Sequence, residues 1–134
     1  MYVDACAIIA LASDEPEAKR VADALLSAKT RITSAVAVLE AAMALARPDK
    51  FDRSIADIEP FLMEFLEARG IELYDLPPGK SATTLSLMAA DKYGSGRNRL
   101  NLGDCLHYAC AKYYQVPMLA THDEFRQTDL QTIP

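Results

Sequence analysis

Short apolar runs alternate with longer stretches of helical periodicity along the 134 residues of the chain. Buried strands are predicted wherever a short run is bounded by polar or turn residues, at 1–5, 31–33, 71–73 and 117–120, with 130–133 as a fifth strand on the edge. Apolar residues that recur every three or four positions predict helices between them, over 5–12, 14–28, 35–46, 52–69, 81–93 and 104–114. Strands that alternate with helices are typical of an α/β domain built on a parallel sheet. We therefore predict one such domain over residues 1–134.

Proline and glycine positions refine three boundaries. The segment Asp14-Glu15-Pro16-Glu17 has the composition of a helix start, so the second helix is expected to begin there. Pro60 lies inside the periodic pattern 52–69, which is therefore either one kinked helix or two helices, and we favour the kink. The segment 94–99 contains two glycines and two arginines and predicts a flexible basic loop.

Composition limits the class of protein. Hydrophobic residues make up 51% of the chain and charged residues 25%, as in a globular protein, and no apolar run approaches the roughly 18 residues of a membrane span. We expect a soluble cytoplasmic protein that does not enter membranes. The three cysteines have no metal-ligand spacing and lie on apolar faces, so we expect buried free thiols. The net charge of −5 would disfavour a nucleic-acid partner, unless bound metal neutralises several acids.

Three acids, Asp4, Glu40 and Asp104, interrupt apolar stretches in which no Lys or Arg lies within a few residues. A carboxylate in a segment bound for the core costs several kcal/mol unless a positive group meets it. Each acid also has a simpler interpretation. Asp4 and Asp104 suit the start of a helix, and Glu40 could be a surface residue on a mostly buried helix. Because the carboxyl ends of parallel strands form the crevice where such folds bind ligands, we expect the acids to converge there.

Asp123 and Glu124 follow the last clear strand, and one of them could complete an acidic quartet. We prefer Asp123, since it is nearer the strand end. His107, one turn beyond Asp104, is interpreted as a helix-face residue rather than a metal ligand, and His122 as a loop residue without a visible partner. Four like charges can be packed together only around a cation.

Carboxylates and water are the ligands that suit Mg²⁺ or Mn²⁺, and clustered carboxylates with such ions activate water for displacement at phosphorus. The chain has no P-loop, no GxSxG and no GxGxxG motif to compete as a chemical centre. A phosphoacceptor or phosphatase domain also clusters acids at strand ends. However, Asp4 stands alone after the first strand, and position 6 is Cys where a haloacid-type phosphatase needs a second Asp.

Four segments resemble PIN-domain ribonucleases, and more specifically the VapC toxins of bacterial VapBC toxin–antitoxin modules. The segments are Val-Asp-Ala-Cys-Ala-Ile-Ile at 3–9, Ser-Ala-Val-Ala-Val-Leu-Glu-Ala-Ala at 34–42, Leu-Asn-Leu-Gly-Asp-Cys-Leu-His-Tyr-Ala at 100–109 and Thr-His-Asp-Glu-Phe-Arg-Gln-Thr-Asp-Leu at 121–130. The resemblance implies a three-layer α/β/α domain with a four- or five-stranded parallel sheet. It also implies an Mg²⁺ or Mn²⁺ site formed by Asp4, Glu40, Asp104 and a fourth acid, Asp123 or Glu124. Cys6 departs from the Ser or Thr frequent there.

By this resemblance the activity is that of an endoribonuclease toxin, with a tRNA or another structured RNA as substrate and a VapB-type antitoxin as partner. Homodimers are common in the family, and the helix that carries Ile55 to Leu66 could form the interface or belong to the core. Arg97 and Arg99 are candidate phosphate contacts on the basic loop. The alternative is a catalytically silent module that keeps the fold, and metal titration would separate the two.

Overall fold

The computed structural model of the protein describes residues 1–133, and its centre is a parallel sheet of five short strands. The strands are β1 (Tyr2–Val3), β2 (Ile32–Thr33), β3 (Glu72–Leu73), β4 (Met118–Leu119) and β5 (Thr132–Ile133). They lie in the order β3-β2-β1-β4-β5, so β1 is central and β3 and β5 form the edges. All four pairings are parallel. The predicted fifth strand is thus confirmed at an edge.

Helices connect the strands, as every parallel pairing requires a crossover. Within residues 1–133 they are α1 (Ala5–Ala12), α2 (Ala18–Ser27), α3 (Ala35–Leu45), α4 (Ile55–Ala68), α5 (Gly79–Tyr93) and α6 (Leu102–Tyr113), with a short 3-10 helix over Glu124–Gln127. Among the residues that the structure describes, no helix has both the length and the apolar character needed to cross a membrane.

Two apolar clusters cover the two faces of the sheet. Val3 and Leu119 point to one face, where they pack with buried residues of α1, α2, α3 and α4. Tyr2, Ile32 and Met118 point to the other, where they pack mainly with α5 and α6. Neighbouring strand residues therefore alternate between two cores. This arrangement confirms the predicted three-layer α/β/α fold.

Four predicted helix starts differ from the structure. Helix α4 begins at Ile55 rather than at 52, and α5 begins at Gly79 rather than at 81. The other two differences change the role of a residue. The segment that begins at Asp14 is a turn, because Asp14 adopts a left-handed backbone with φ of 52°, and α2 begins only at Ala18. Helix α6 begins at Leu102 and is capped by Asn101, so Asp104 lies inside the first turn instead of capping it. Pro60 does not split its segment, since α4 runs unbroken from Ile55, with Ser54 as its N-cap.

Candidate active site

Asp4 lies at the carboxyl end of the central strand and caps α1. Its Oδ2 accepts hydrogen bonds from the backbone N–H of Cys6 at 3.2 Å and from the Cys6 thiol at 2.8 Å. Its Oδ1 is buried and has no hydrogen-bond partner among residues 1–133. The capping interpretation is therefore correct for one carboxylate oxygen, while the other makes no hydrogen bond in the described part of the chain and has His107 Nε2 nearby, at 3.5 Å. A buried acceptor without a partner is costly and requires an explanation.

Glu40 lies one and a half turns into α3, whose start at Ser34 directly follows the end of β2. Its Oε1 lies against Gly103 of α6, where an added Cβ would stand 1.7 Å from that oxygen. Because no residue larger than glycine leaves this space, Gly103 allows α6 to approach the carboxylate. Thus the Glu40 carboxylate is directed toward the other acids by the crossing of α3 and α6.

Asp104 occupies the third position of α6 and forms a capping box with Asn101. Its Oδ2 accepts a hydrogen bond from the Asn101 N–H at 2.9 Å, and its own N–H donates to the Asn101 side chain at 2.9 Å. The pKa of Asp104 is raised to about 6, mainly by burial and also by the charges of Asp4 and Glu124, against the lowering effects of the Asn101 N–H and of His107. The fold therefore holds this acid where ionisation is unfavourable.

His107 lies on a face of α6, as predicted, but makes contacts that the sequence did not predict. It is fully buried, and its Nε2 lies 3.0 Å from Glu40 Oε2 and 3.5 Å from Asp4 Oδ1. Burial alone would lower the pKa of His107, but the hydrogen bond to Glu40 and the charge of Asp4 raise it above the usual value. The helical period contained a signal, because His107 follows Asp104 by three residues and lies on the same face. The assumption that only a metal ion could meet these acids overlooked this imidazole.

Cys6 also contacts the site. Its thiol donates to Asp4, and its sulfur accepts a hydrogen bond from the backbone N–H of Thr121 at 3.1 Å. Burial, followed by the charge of Asp4, raises the pKa of the Cys6 thiol. The protonated thiol thus links the ends of β1 and β4. All three cysteines are free, as expected.

The two candidates for a fourth acid differ in placement. The Asp123 side chain is 65% exposed and pairs with Arg126 at 3.2 Å. The Glu124 side chain is 19% exposed and lies 3.7 Å from His122, and its charge contributes to the raised pKa of Asp104. Of the two, Glu124 is therefore the acid whose charge reaches the candidate site.

Asp4, Glu40 and Asp104 form a donor set that fits a divalent cation. No Lys or Arg forms an ion pair with Asp4, Glu40 or Asp104 in the part of the chain that the structure describes. In the same part, no three His, Cys, Asp or Glu side chains are already arranged around one point as a metal cage. Mg²⁺ commonly binds through only one or two carboxylates and keeps several waters. The unpartnered Oδ1 of Asp4 and the raised pKa of Asp104 fit such an open site.

The chain is similar to known proteins over nearly its whole length. The family model described as PIN domain matches residues 1–129. The chain is 36% identical to Ribonuclease VapC36 of Mycobacterium tuberculosis, with 98% of this chain and 91% of the relative covered. It is 32% identical to Ribonuclease VapC30 of the same species, with 99% and 98% covered, and 30% identical to Ribonuclease VapC of Mycolicibacterium smegmatis, with 99% of each covered. The chain is a PIN domain and belongs to the VapC ribonuclease family.

Proposed function

We propose that the protein is a divalent-metal-dependent endoribonuclease that acts in the cytoplasm as the toxin of a type II toxin–antitoxin module. The names of its relatives describe ribonucleases, and the relatives align with nearly the whole chain. The buried acids at the carboxyl end of the sheet supply a chemical centre suited to phosphodiester hydrolysis. The observation that carries the proposal is the Oδ1 of Asp4, which is buried at the end of the central strand without a hydrogen-bond partner in residues 1–133.

Asp4 and Asp104 would hold the principal Mg²⁺ or Mn²⁺ ion, and Glu40 with a fourth acid would complete the shell or hold a weaker second ion. Such an ion lowers the pKa of a bound water and stabilises negative charge on the phosphate. The chain's own part is to fix the ligands in advance. Cys6 holds one oxygen of Asp4 and leaves the other without a hydrogen bond in residues 1–133, while the Asn101 N–H holds one oxygen of Asp104.

For the fourth position the placement supports Glu124, although the sequence favours Asp123. Asp123 is already neutralised by Arg126 at the surface, whereas the charge of Glu124 acts on Asp104. We expect Glu124→Gln to weaken cleavage and Asp123→Asn to change it little. The reverse result would assign the fourth acid to Asp123.

RNA would reach the site over the basic loop that precedes α6. Arg97 and Arg99 are exposed there, and the loop leads within two residues to Asn101, the cap of the helix that carries Asp104. This placement supports a role for both arginines in contacting phosphates beside the site. The substrate would be a tRNA or another structured RNA.

The protein partner would be a VapB-type antitoxin, and the toxin itself would be a homodimer. Ile58, Leu62 and Phe65 of α4 are buried in the core, so only part of the apolar stripe from Ile55 to Leu66 is available to a partner. Exposed apolar side chains remain on α3, α4 and β3, namely Leu39, Met43, Ile55, Met63 and Leu73. Such a patch is typical of protein interfaces. Light scattering of the purified chain would show the dimer.

Cleavage by the Asp4→Asn variant tests the proposed function. We expect cleavage of a structured RNA with Mg²⁺ or Mn²⁺ to be abolished, because the amide removes a ligand charge while it can still accept the N–H of Cys6. Asp23→Asn is the matched control, since Asp23 lies on α2 and pairs at the surface with Lys19 at 2.6 Å. An unchanged cleavage rate in Asp4→Asn would remove Asp4 from the mechanism. Absence of cleavage by the wild type, with no metal binding, would favour a silent binding module.

A further inference from the structure

A continuous chain of hydrogen bonds runs from the core to the partly exposed Glu40. The Ser34 hydroxyl lies 2.7 Å from the Tyr2 hydroxyl, which lies 2.9 Å from His107 Nδ1. The other ring nitrogen, Nε2, lies 3.0 Å from Glu40 Oε2. Ser34, Tyr2 and His107 are each at most 1% exposed. Ser34 follows β2 and caps α3, Tyr2 belongs to β1, and His107 lies in the middle of α6, so the chain of bonds crosses the core between these elements.

The direction of these bonds follows from the chemistry of the last acceptor. An ionised carboxylate only accepts hydrogen bonds, so His107 Nε2–H must donate to Glu40. In the neutral ring Nδ1 then accepts from the Tyr2 hydroxyl, and in the charged ring it donates to that hydroxyl. Either way Nε2–H is directed at Glu40. Tyr2 therefore holds the orientation of the ring, while the Glu40 carboxylate requires a proton on Nε2.

Glu40 is restrained on its other side as well. Its Oε1 occupies the space that a Cβ at position 103 would take, so Gly103 leaves room for one orientation of the carboxylate. The Glu40 side chain is 38% exposed, and without the bond to His107 it would be free to turn into solvent. Holding a flexible side chain in one rotamer before a ligand arrives removes an entropic cost from binding.

We propose that His107, oriented by Tyr2 and Ser34, is a positioning residue that holds the Glu40 carboxylate for the divalent ion by hydrogen bonding and is not itself a ligand. The inference rests on the proposed function, because it assumes that Glu40 faces an ion. It goes beyond that function by assigning a role to three residues that would not touch the ion or the RNA. Loss of such an outer partner typically weakens metal binding by about 10- to 100-fold.

Calorimetric titration with Mn²⁺ tests this role independently of cleavage. We expect His107→Leu to weaken Mn²⁺ binding by about 10- to 100-fold. In His107→Gln the side-chain amide can still donate to Glu40, so this variant should recover most of the affinity. Wild-type affinity in His107→Leu would overturn the proposal, and so would equal weakening in His107→Gln and His107→Leu when circular dichroism shows both folded.

Tyr2→Phe provides a second variant that removes only a hydroxyl. We expect about fivefold weaker Mn²⁺ binding, the effect of one lost hydrogen bond. Tyr108→Phe is its matched control, because Tyr108 is equally buried in the same cluster but donates to Asp129 at 2.8 Å. Its Mn²⁺ affinity should equal that of the wild type. Equal weakening of Mn²⁺ binding by Tyr2→Phe and Tyr108→Phe would overturn the proposed orientation of His107 by Tyr2.

Pulsed electron paramagnetic resonance of bound Mn²⁺ separates a hydrogen-bond donor from a ligand. If His107 only donates a hydrogen bond to Glu40, the spectrum of the wild type should show no hyperfine coupling from a ¹⁴N atom bound directly to Mn²⁺. A strong ¹⁴N coupling that disappears in His107→Gln would make His107 a ligand and overturn the positioning role. If the wild type binds no Mn²⁺, the proposed metal site and this inference both fail, whereas binding that His107→Leu leaves unchanged refutes the inference alone.

Discussion

The two ends of α6 hold acids in opposite ways. At its start, Asp104 is buried, has no Lys or Arg partner in residues 1–133, and has its pKa raised to about 6 mainly by burial. Near its other end, Lys112 contacts Asp129 at 2.9 Å, and Tyr108 donates to the same carboxylate at 2.8 Å. Those two hydrogen bonds lower the pKa of Asp129. One helix thus carries an acid that the fold destabilises and contacts another that the fold stabilises.

The difference separates a structural acid from a functional one. Lys112 and Tyr108 already satisfy the Asp129 carboxylate, so this acid needs no cation from outside the chain. The cluster of Asp4, Glu40 and Asp104 is satisfied only in part, by hydrogen bonds from Cys6, His107 and Asn101 respectively. Acids that a fold leaves short of positive charge are candidates for binding a cation, and titratable groups perturbed by burial gather at functional sites.

Asp104→Asn should give the largest effect in this comparison. We expect RNA cleavage to fall by more than about 100-fold, as when one preorganised electrostatic group is removed from an active site. The metal-free protein should nevertheless become more stable at pH 7, by roughly 1–3 kcal/mol, because a buried charge is removed. The amide oxygen can still accept the Asn101 N–H. Thermal unfolding in a chelator, together with a cleavage assay, measures both effects.

The pH dependence supplies the control for Asp104. Because its folded-state pKa of about 6 exceeds the usual 3.8, the folded state binds the extra proton between those values. The contribution of Asp104 to the unfolding free energy of the metal-free protein should therefore fall as pH rises through about 4 to 6. Asp104→Asn should lack this fall. A variant less stable than the wild type at pH 7 would contradict the view that this acid is held at a cost.

Gly103→Ala should have an intermediate effect on metal binding, because it displaces the Glu40 carboxylate. Alanine is favoured over glycine within a helix by about 1 kcal/mol, so stability should change little or rise. The new Cβ would occupy the place of Glu40 Oε1 and push that flexible carboxylate out of the site. We expect Mn²⁺ binding to weaken by about tenfold while unfolding remains cooperative. Unchanged binding would show that the orientation of Glu40 does not matter.

Asp129→Asn should give the smallest effect and none on cleavage. Because the folded-state pKa of Asp129 lies below its usual value, its contribution to stability is present above about pH 4 and is lost at lower pH. The carboxylate is half exposed, so the loss should stay below about 1 kcal/mol. Denaturation with urea at pH 7 and pH 3 would show a difference only at pH 7. A loss of cleavage comparable to that of Asp104→Asn would contradict the view that Asp129 is a structural acid.

The sequence predicted most of the fold because the strands are short apolar runs with clear boundaries. The predictions failed where a residue could adopt two conformations or where two residues suited the same cap. Asp14 could cap a helix but adopts a left-handed backbone conformation in a turn instead. At the start of α6, Asn101 occupies the N-cap position that was predicted for Asp104. Such choices depend on the backbone path into the helix, which periodicity does not determine.

The sequence also identified Asp4, Glu40 and Asp104 as residues out of place in apolar segments, and their roles remain predictions. It could not show that His107 would lie between two of them, because that contact joins α3 to α6 across 67 positions of the chain. Nor could it show which oxygen of Asp4 lacks a partner. Long-range contacts of this kind depend on packing, which single-sequence patterns do not encode.

Calorimetric titration of Mn²⁺ into the wild type, Asp4→Asn and Asp129→Asn tests the central claim, that the acids at the end of β1 share a divalent ion, most directly. The account predicts saturable binding to the wild type and to Asp129→Asn, and none to Asp4→Asn. Equal binding to all three proteins, or no binding to the wild type, would contradict it.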